Sequence, residues 1–374
     1  MIKKPRIAII GAGVAGLSLA ILATQQGYQV DVFERGERVS SLGAGVTLWP
    51  NALFVLNKMG LTAPLREKAG LPGFMRQYDA SGSLLNTLDL MQVNSLSGFD
   101  SLTILRRDLM AILANKLEGL GGVIQFNRNM SLDDIHSLEQ TYDLVVGADG
   151  RMKSVVREFL FEPNVMPQYQ GFINIIGTSE LSPDILENSI QDYRGQCERF
   201  GIVPVTANAC YWAAGWKVSF DQNRSLSSWY EEMHHRFESW PKPVKAVLTS
   251  YNKASLNRIF VHDIEPLKYW HQGNVLIIGD AAHAPLPTSG QGACQALEDV
   301  WHLMVSLEKY ECLEDALSAF YQVRIQKASA AQSIGRQLAQ HIFMGSNHVL
   351  TPANISAKQL SAFWMQGLGS HDLS

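Results

Sequence analysis

The chain is poor in most of the features that would single out an unusual class of protein. Four cysteines, Cys197, Cys210, Cys294 and Cys312, are scattered through 374 residues with no C-x-x-C pair. That spacing argues against a disulfide framework and against a thiolate zinc site. No uninterrupted apolar run approaches the length that spans a bilayer, so no integral membrane segment is expected. Charged residues make up 18% of the chain and the net charge is only -4, which gives no reason to expect a nucleic acid partner. Internal repeats and low-complexity segments are absent, and His234-His235, in a helical stretch, has no third ligand in spacing. It reads as a solvent-exposed pair, and no metal is expected. What remains is 46% hydrophobic, enough for a full core. The length suits two domains, or one large domain with an insertion. A cytoplasmic monomer or homodimer is the expectation.

The stretch from Arg6 to Gly16 organises what is there. Apolar residues run into Gly11-Ala-Gly13-Val-Ala-Gly16, an apolar helical pattern follows, and a second strand ends in Asp31-Val-Phe-Glu34. Each part of this β-α-β fingerprint has a mechanical reason. Gly11 makes the tight turn, Gly13 lets the backbone approach a pyrophosphate, and Gly16 lets helix and strand pack closely. The helix N-terminus offers free N–H groups and partial positive charge to phosphates. Glu34, eighteen residues beyond Gly16, sits where it can accept from a ribose. Lys3, Lys4 and Arg6 before an apolar stretch imitate a secretory signal. Such a signal has no use for three spaced glycines or for a strand ending in Glu. The fingerprint alone leaves FAD and NAD both open.

Further along, Gly43-Ala-Gly45 forms a glycine-rich loop before a helical pattern over residues 52–59. Residues 73–90 read as a hairpin with Asp79-Ala-Ser-Gly82 as its turn. Arg106 and its neighbours open a helix, and Gly147-Ala-Asp149-Gly150 ends a short buried strand. Between residues 168 and 262 the pattern changes to antiparallel strands, predicted at 171–176, 199–205 and 210–218, with one helix over 225–237. The α/β pattern resumes with a strand at 274–278, and helices fill most of the chain to about residue 344. The predicted fold is α/β: a discontinuous Rossmann-like FAD-binding domain (1–71, 103–167 and 266–345), an inserted, mainly antiparallel β-sheet substrate domain (72–102 and 168–265), and C-terminal helices. Residues 346–374 form a tail in which Phe363, Trp364 and Met365 offer a cap for a site or a partner surface, with mobility or simple core packing the expectation.

The most specific segment is Gly279-Asp280-Ala-Ala-His283-Ala-Pro285-Leu-Pro287-Thr288-Ser289-Gly290-Gln291-Gly292. A buried strand presents Asp280 at its carboxyl end, the edge of an α/β sheet where ligands bind. Asp280 can accept from a polyol, and the amides of residues 290–292 can hold a developing negative charge.

With these motifs in order, the sequence resembles the FAD-dependent aromatic hydroxylases of the p-hydroxybenzoate hydroxylase type, the class A flavoprotein monooxygenases. Gly147-Ala-Asp149-Gly150 with Ser154 and Arg157 is similar to that family's Asp-Gly motif, Gly279-Asp280 with Pro287-Thr288 to its flavin-ribityl motif, and Tyr321-x-x-Arg324 to a pattern of its C-terminal helix. The resemblance implies FAD, bound non-covalently, with Gly11, Gly13 and Gly16 at the pyrophosphate, Glu34 at the adenosine ribose and Asp280 at the ribityl chain. Arg106 matches the family's FAD-contacting arginine. Gly290, Gln291 and Gly292 would face the flavin ring, and Arg35, Gly45 and Ala293 complete the cofactor set. Asp149-Gly150 would serve both FAD and the nicotinamide donor, explaining why no second G-x-G-x-x-G exists for NADH or NADPH. The implied activity is O2-dependent hydroxylation of a small aromatic or heteroaromatic substrate through a flavin C4a-hydroperoxide. Alternatives on the same fold are oxidation of a polycyclic or antibiotic-like substrate, epoxidation, or a flavin-binding redox scaffold.

Within the family, Arg199, Tyr211 and the run from Asn257 to Pro266 resemble bacterial urate hydroxylases, whose matching Arg and Tyr lie in the substrate site. Thr288 stands where those enzymes carry aspartate, which counts against urate itself. Arg199, Tyr211 and Pro287 are the candidate catalytic residues. His283 is read as holding its loop, and Trp212 and Trp216 as core or pocket wall. A four-residue hairpin loop at 206–209 would pair Val205 with Cys210 and put Arg199 and Tyr211 on opposite faces. A five-residue loop or a bulge would pair Val205 with Tyr211 and put both on one face. The expectation is one shared face, directed at the flavin ring.

Overall fold

A computed structural model describes residues 4–40, 43–161, 165–345 and 356–369. Strand Arg6–Ile10, helix Val14–Gln25 and strand Gln29–Phe33 form the opening unit, with the strands parallel from Arg6 beside Gln29 to Ile10 beside Phe33. The helix is buried from Val14 to Ala23 because helices Arg106–Gly119 and Gly292–Lys309 also pack on it. A helix covered all round is apolar all round, which is how its sequence reads. Strands Leu144–Gly147 and Val275–Ile277 continue the sheet on one side and Ile124–Gln125 on the other, all parallel. His271–Gln272 closes one edge antiparallel. The carboxyl ends of the central strands bring Gly11, Glu34, Asp149 and Asp280 to one rim, the ligand-binding edge of such a sheet.

The second sheet has seven strands in the order Asn257–Asp263, Gln168–Glu180, Ala209–Lys217, Glu198–Pro204, Ser189–Gly195, Phe74–Asp79 and Leu84–Asp89. All neighbours are antiparallel except Ser189–Gly195 beside Phe74–Asp79. The predicted strand at 171–176 extends to Gln168–Glu180, and strand Ser189–Gly195 was not foreseen. One face buries Phe200, Trp212 and Trp216 with Trp229 and Phe237 of helix Leu226–Phe237, so both sheet tryptophans are core. On that helix His234 is half-buried on the Tyr251 hydroxyl at 2.9 Å, and only His235 is exposed. The other face meets the small sheet of Gly45–Leu48 and Leu102–Leu105, together with the long helix Leu313–Met344.

The C-terminal helix Ala357–Met365 packs on helices Pro50–Lys58 and Leu90–Ser97. Trp364 is buried and stacks on Trp49, with centroids 4.6 Å apart. This part of the predicted tail is packed core. Residues 346–355 and 370–374 of the same segment lie outside the described residues. Among the described residues no helix is long and apolar enough to cross a membrane.

Candidate functional site

The glycine turn is built as a cradle. Gly11 has φ +103°, and a Cβ there would lie 2.4 Å from the Ala148 carbonyl oxygen. A Cβ on Gly16 would lie 1.9 Å from the Gly11 oxygen, so no larger residue fits between turn and helix. Beside Gly13 the space is open, with nothing within 4 Å of a Cβ. The helix that follows has no side-chain cap and no acidic residue in its first turn. Its N–H groups and positive end are uncompensated, and an anion fits there. Glu34 accepts from the Ala12 and Gly36 amides, each at 2.8 Å, which fixes its carboxylate at the strand tip. Arg35 is exposed on the turn after it.

Asp149 receives the Val156 amide on Oδ2 at 3.3 Å, while its buried Oδ1 has no hydrogen-bond partner among the described residues. Burial pushes this carboxyl above its ordinary range, against the opposing pull of Ser154, Val156 and Arg157. Gly150 takes φ +85°, and Arg157 donates to the carbonyls of Arg151 at 2.6 Å and Ala281 at 3.0 Å. One buried guanidinium thus stitches the Asp-Gly turn to the segment after Asp280. Arg151, which the sequence did not mark out, donates to Asp280 Oδ2 from Nε at 3.2 Å and Nη2 at 2.9 Å, and to the His262 carbonyl at 2.9 Å. Burial alone would raise Asp280, but Arg151, then His283 and Arg106, hold it below the usual carboxylate range. Arg106 is half-buried and forms no side-chain hydrogen bond or ion pair with the described residues. Burial lowers its pKa and Asp280 opposes the shift. An unpaired guanidinium, an orphaned carboxyl oxygen and an open glycine cradle on one rim fit a polar, phosphate-bearing cofactor.

The loop after Asp280 departs from expectation in its donors. Exposed Pro287 opens the short turn Pro287–Ser289, and Thr288 Oγ1 donates to Gly335 O at 2.6 Å. The Gly290 amide is used by Pro287 O at 3.1 Å and the Gln291 amide by Ser289 Oγ at 3.3 Å. Free amides begin at Gly292, followed by Ala293 and Cys294, which have no acceptor among the described residues. The donor set is therefore the first turn of helix Gly292–Lys309, and of the expected amides at 290–292 only the last is available. Gln291 turns its side chain inward, where Oε1 accepts from Asn51 and Gln295, each at 3.1 Å. Cys294 is buried beneath the helix start, its thiol pushed up to about 12 by burial.

Below this loop lies a buried ionic network that sequence reasoning missed. Asp299 accepts from the Gly279 amide at 2.8 Å, from His283 Nε2 at 2.5 Å and from Arg324 Nε at 2.8 Å. His283 therefore holds its loop, as expected. Glu298 binds Arg324 at 2.9 Å, Lys327 at 2.8 Å and Asn51 at 2.6 Å. Lys327 also donates to the carbonyls of Trp364 and Gln366 at 2.6 and 3.1 Å. The Arg324 pattern was the one signal in the sequence, and its partners lie on another helix.

On the seven-stranded sheet, Val203 pairs with Tyr211 and Arg199 with Gly215. Neither anticipated pairing of Val205 occurs. Val205 faces Ala209 across a tighter turn, its amide donating to the Ala209 carbonyl at 2.8 Å. Pairs two residues apart share a face, so Arg199 and Tyr211 do share one. The Tyr211 ring rests on Gly45, where a Cβ would lie 2.0 Å from Cδ1, and its hydroxyl is 2.7 Å from Thr47 Oγ1. Burial raises the Tyr211 pKa, so it stays a phenol. Gly45 thus touches the tyrosine, a contact the cofactor reading did not anticipate. Arg199 forms an ion pair with buried Asp192 at 2.5 Å. Between them the sheet face carries Gly201, Ala213 and Gly215, and beside Gly201 the space is open.

Comparison with known proteins accords with this geometry. A family profile described as FAD binding domain matches residues 4–312. A 6-hydroxynicotinate 3-monooxygenase of Pseudomonas fluorescens is 29% identical over 358 residues, 89% of this chain and 91% of the relative. A FAD-dependent urate hydroxylase of Mycolicibacterium vanbaalenii is 26% identical over 349 residues, covering 87% and 85%. In three dimensions the chain is similar to Klebsiella pneumoniae HpxO complexed with FAD and uric acid, with a TM-score of 0.79, 21% identity and coverage of 96% and 92%. The chain belongs to the FAD binding domain family, and it is a FAD-dependent oxidoreductase.

Proposed function

We propose that this protein hydroxylates a small, planar heteroaromatic substrate, with NADH or NADPH as electron donor and O2 as oxidant. In the balanced reaction one oxygen atom enters the ring, the other leaves as water, and the nicotinamide is oxidised. The observation that carries the reading is the open space beside Gly201 on the sheet face that Arg199 and Tyr211 share. Gly201 and Ala213 leave room for a ring, Asn174 and Phe343 close the space over Gly215, and Arg199 and Tyr211 can fix the ring's edges. The relatives named for urate and 6-hydroxynicotinate act on rings of that size.

Bound FAD would supply the electron transfer and oxygen activation. In this reading Gly11, Gly13, Gly16 and the following helix start hold its pyrophosphate, Glu34 its ribose and Asp280 its ribityl chain. Arg106 gives the rim an uncommitted positive charge. The first-turn amides of helix Gly292–Lys309 would place partial positive charge where negative charge develops on the ring system. Tyr211 shares a hydrogen bond with Thr47, so it can donate to or accept from a substrate oxygen while its ring stays fixed on Gly45. Pro287 and Thr288 shape the loop between the two regions, with Thr288 anchored to the long helix.

The test is oxidation of NADH and of NADPH by the flavin-loaded protein, with and without 6-hydroxynicotinate, urate and related one- and two-ring heteroaromatics. The expected result is oxidation accelerated by at least one ring compound, with a hydroxylated product detected by mass spectrometry. Acceleration by none of them, or acceleration that yields only peroxide, would refute the hydroxylase reading for this substrate class.

A further inference from the structure

We propose that Asp192 is a positioning residue of the substrate face. It aims the terminal amines of Arg199 at the bound ring and, with Arg194, forms a cluster that carries one surplus positive charge. The proposal rests on the reading above that this face binds the substrate.

Asp192 lies in the middle of strand Ser189–Gly195, paired with Gly201 on one side and Gln77 on the other. Its carboxylate is 1% exposed. Arg199 approaches side-on, with Nε donating to Oδ1 at 2.5 Å. Arg194 takes the other oxygen, with Nε and Nη2 both 2.9 Å from Oδ2. With the Gln77 amide oriented to accept, its oxygen receives Arg194 Nη1 at 2.9 Å. Arg194 is therefore committed through its whole guanidinium. Arg199 is committed only through Nε, and its two terminal amines make no hydrogen bond with the described residues. Those amines form the flat fork that binds two adjacent acceptors at once.

The charge count follows from the same register. Two guanidiniums face one carboxylate, and the surplus lies on the fork that remains free. By register the face also carries exposed Glu180 and Lys217 at the ends of their strands, and Asp79 beside Arg194. Asp79 sits at the hairpin turn, bound by Ser81 and Ser83, where water and salt screen it. Glu198 points to the opposite face, paired with Arg236. The complementary ligand carries one negative charge on a planar pair of acceptors, as in a ring carboxylate or a deprotonated ring amide. Burial of Asp192 matters because a carboxylate free to turn would let Arg199 swing off the face.

The experiment is titration of the FAD-loaded protein with 6-hydroxynicotinate and, separately, its neutral carboxamide, read by perturbation of the flavin absorbance. The wild type should prefer the acid by about tenfold or more, the scale of a charge-assisted pair. Arg194→Gln leaves the Asp192–Arg199 contact in place but cancels the surplus charge, so the preference should fall to near one while carboxamide binding is kept. Asp192→Asn should raise KM for the acid with a much smaller change in kcat. Arg199→Lys should retain preference for the acid but bind it more weakly, because the charge remains and the fork is lost. If Asp192→Asn fails to fold, the Arg194→Gln titration decides alone. Unchanged discrimination in Arg194→Gln overturns the charge assignment. If neither compound perturbs the wild-type flavin, the reading of this face as the ring site falls, and the proposal falls with it.

Discussion

A methyl group added at Gly45 would lie 2.0 Å from Tyr211 Cδ1 and 2.4 Å from its Cγ and Cε1. Non-bonded carbons settle at roughly 3.5–4.0 Å, so in Gly45→Ala the ring must retreat by about 1.5–2 Å. Its hydroxyl is 2.7 Å from Thr47 Oγ1, and a rigid ring shifted that far leaves hydrogen-bond range. Overpacking of this kind costs about 1–3 kcal/mol and the lost hydrogen bond about 1 kcal/mol. The expected loss is therefore roughly 2–4 kcal/mol, concentrated in the contact between the two sheets. The assay is a double-mutant cycle on Gly45→Ala and Tyr211→Ala, read by thermal unfolding of the apoprotein and by FAD content after gel filtration. In the Tyr211→Ala background the clash has no partner, so adding Gly45→Ala should change little and flavin should be retained. An equal loss of flavin in both backgrounds would mean that Gly45 is needed for cofactor approach and that the tyrosine contact is incidental. That outcome refutes the reasoning and restores Gly45 to the cofactor set alone.

Gly13→Val should leave the apoprotein folded, because nothing lies within 4 Å of its Cβ, yet abolish flavin retention. Loss of the yellow chromophore together with an unchanged apoprotein melting curve is the expected pair of observations. Lys327→Met removes a buried cation from Glu298 and a donor from the carbonyls of Trp364 and Gln366. Breaking a buried pair costs about 3–5 kcal/mol, and limited proteolysis should cut within the helix Ala357–Met365 sooner than in wild type. Asp149→Asn should stabilise the apoprotein near pH 8, since burial raises the native pKa of this acid above its unfolded value. The wild-type penalty is complete above the native pKa and vanishes below the unfolded one, so the advantage should shrink toward about pH 4. An advantage that grows with acidity would contradict the sign.

The parts of this protein legible in its sequence are those written locally. The fingerprint from Arg6 to Glu34 is one continuous β-α-β unit, so spacing alone defines its turn, helix and acid. The shared face of Arg199 and Tyr211 was also accessible, because period two reduces the question to the parity of one loop. The pairing itself was not, since the turn closes on Val205 and Ala209 and shifts the partners to Val203 and Tyr211. Strand Ser189–Gly195 escaped notice because its sequence, Ser-Ile-Gln-Asp-Tyr-Arg-Gly, shows little apolar alternation. Its polar residues are buried by Arg199 and Gln77 from other strands. Arg151 and Asp280 are 129 residues apart, a separation that no local pattern reports.

Glu298 and Asp299 show why the remaining fraction matters for the site. Acidic side chains on a helix are ordinarily exposed, yet both of these, on helix Gly292–Lys309, are fully buried. Arg324 and Lys327 of the long helix balance the two charges. Burying ions is expensive, and apolar side chains of the same volume often stabilise as well or better. Holding position is the stronger account. Apolar ridges tolerate small sliding of one helix on another, whereas each hydrogen bond here fails within about an ångström. Asp299 grips the Gly279 amide and His283, and Glu298 grips Asn51 on helix Pro50–Lys58. The helix start that offers Gly292, Ala293 and Cys294 amides is therefore fixed against the Asp280 loop and helix Pro50–Lys58 together. Lys327 ties the same carboxylate to the carbonyls of Trp364 and Gln366, so the packing of the last helix enters the same geometry.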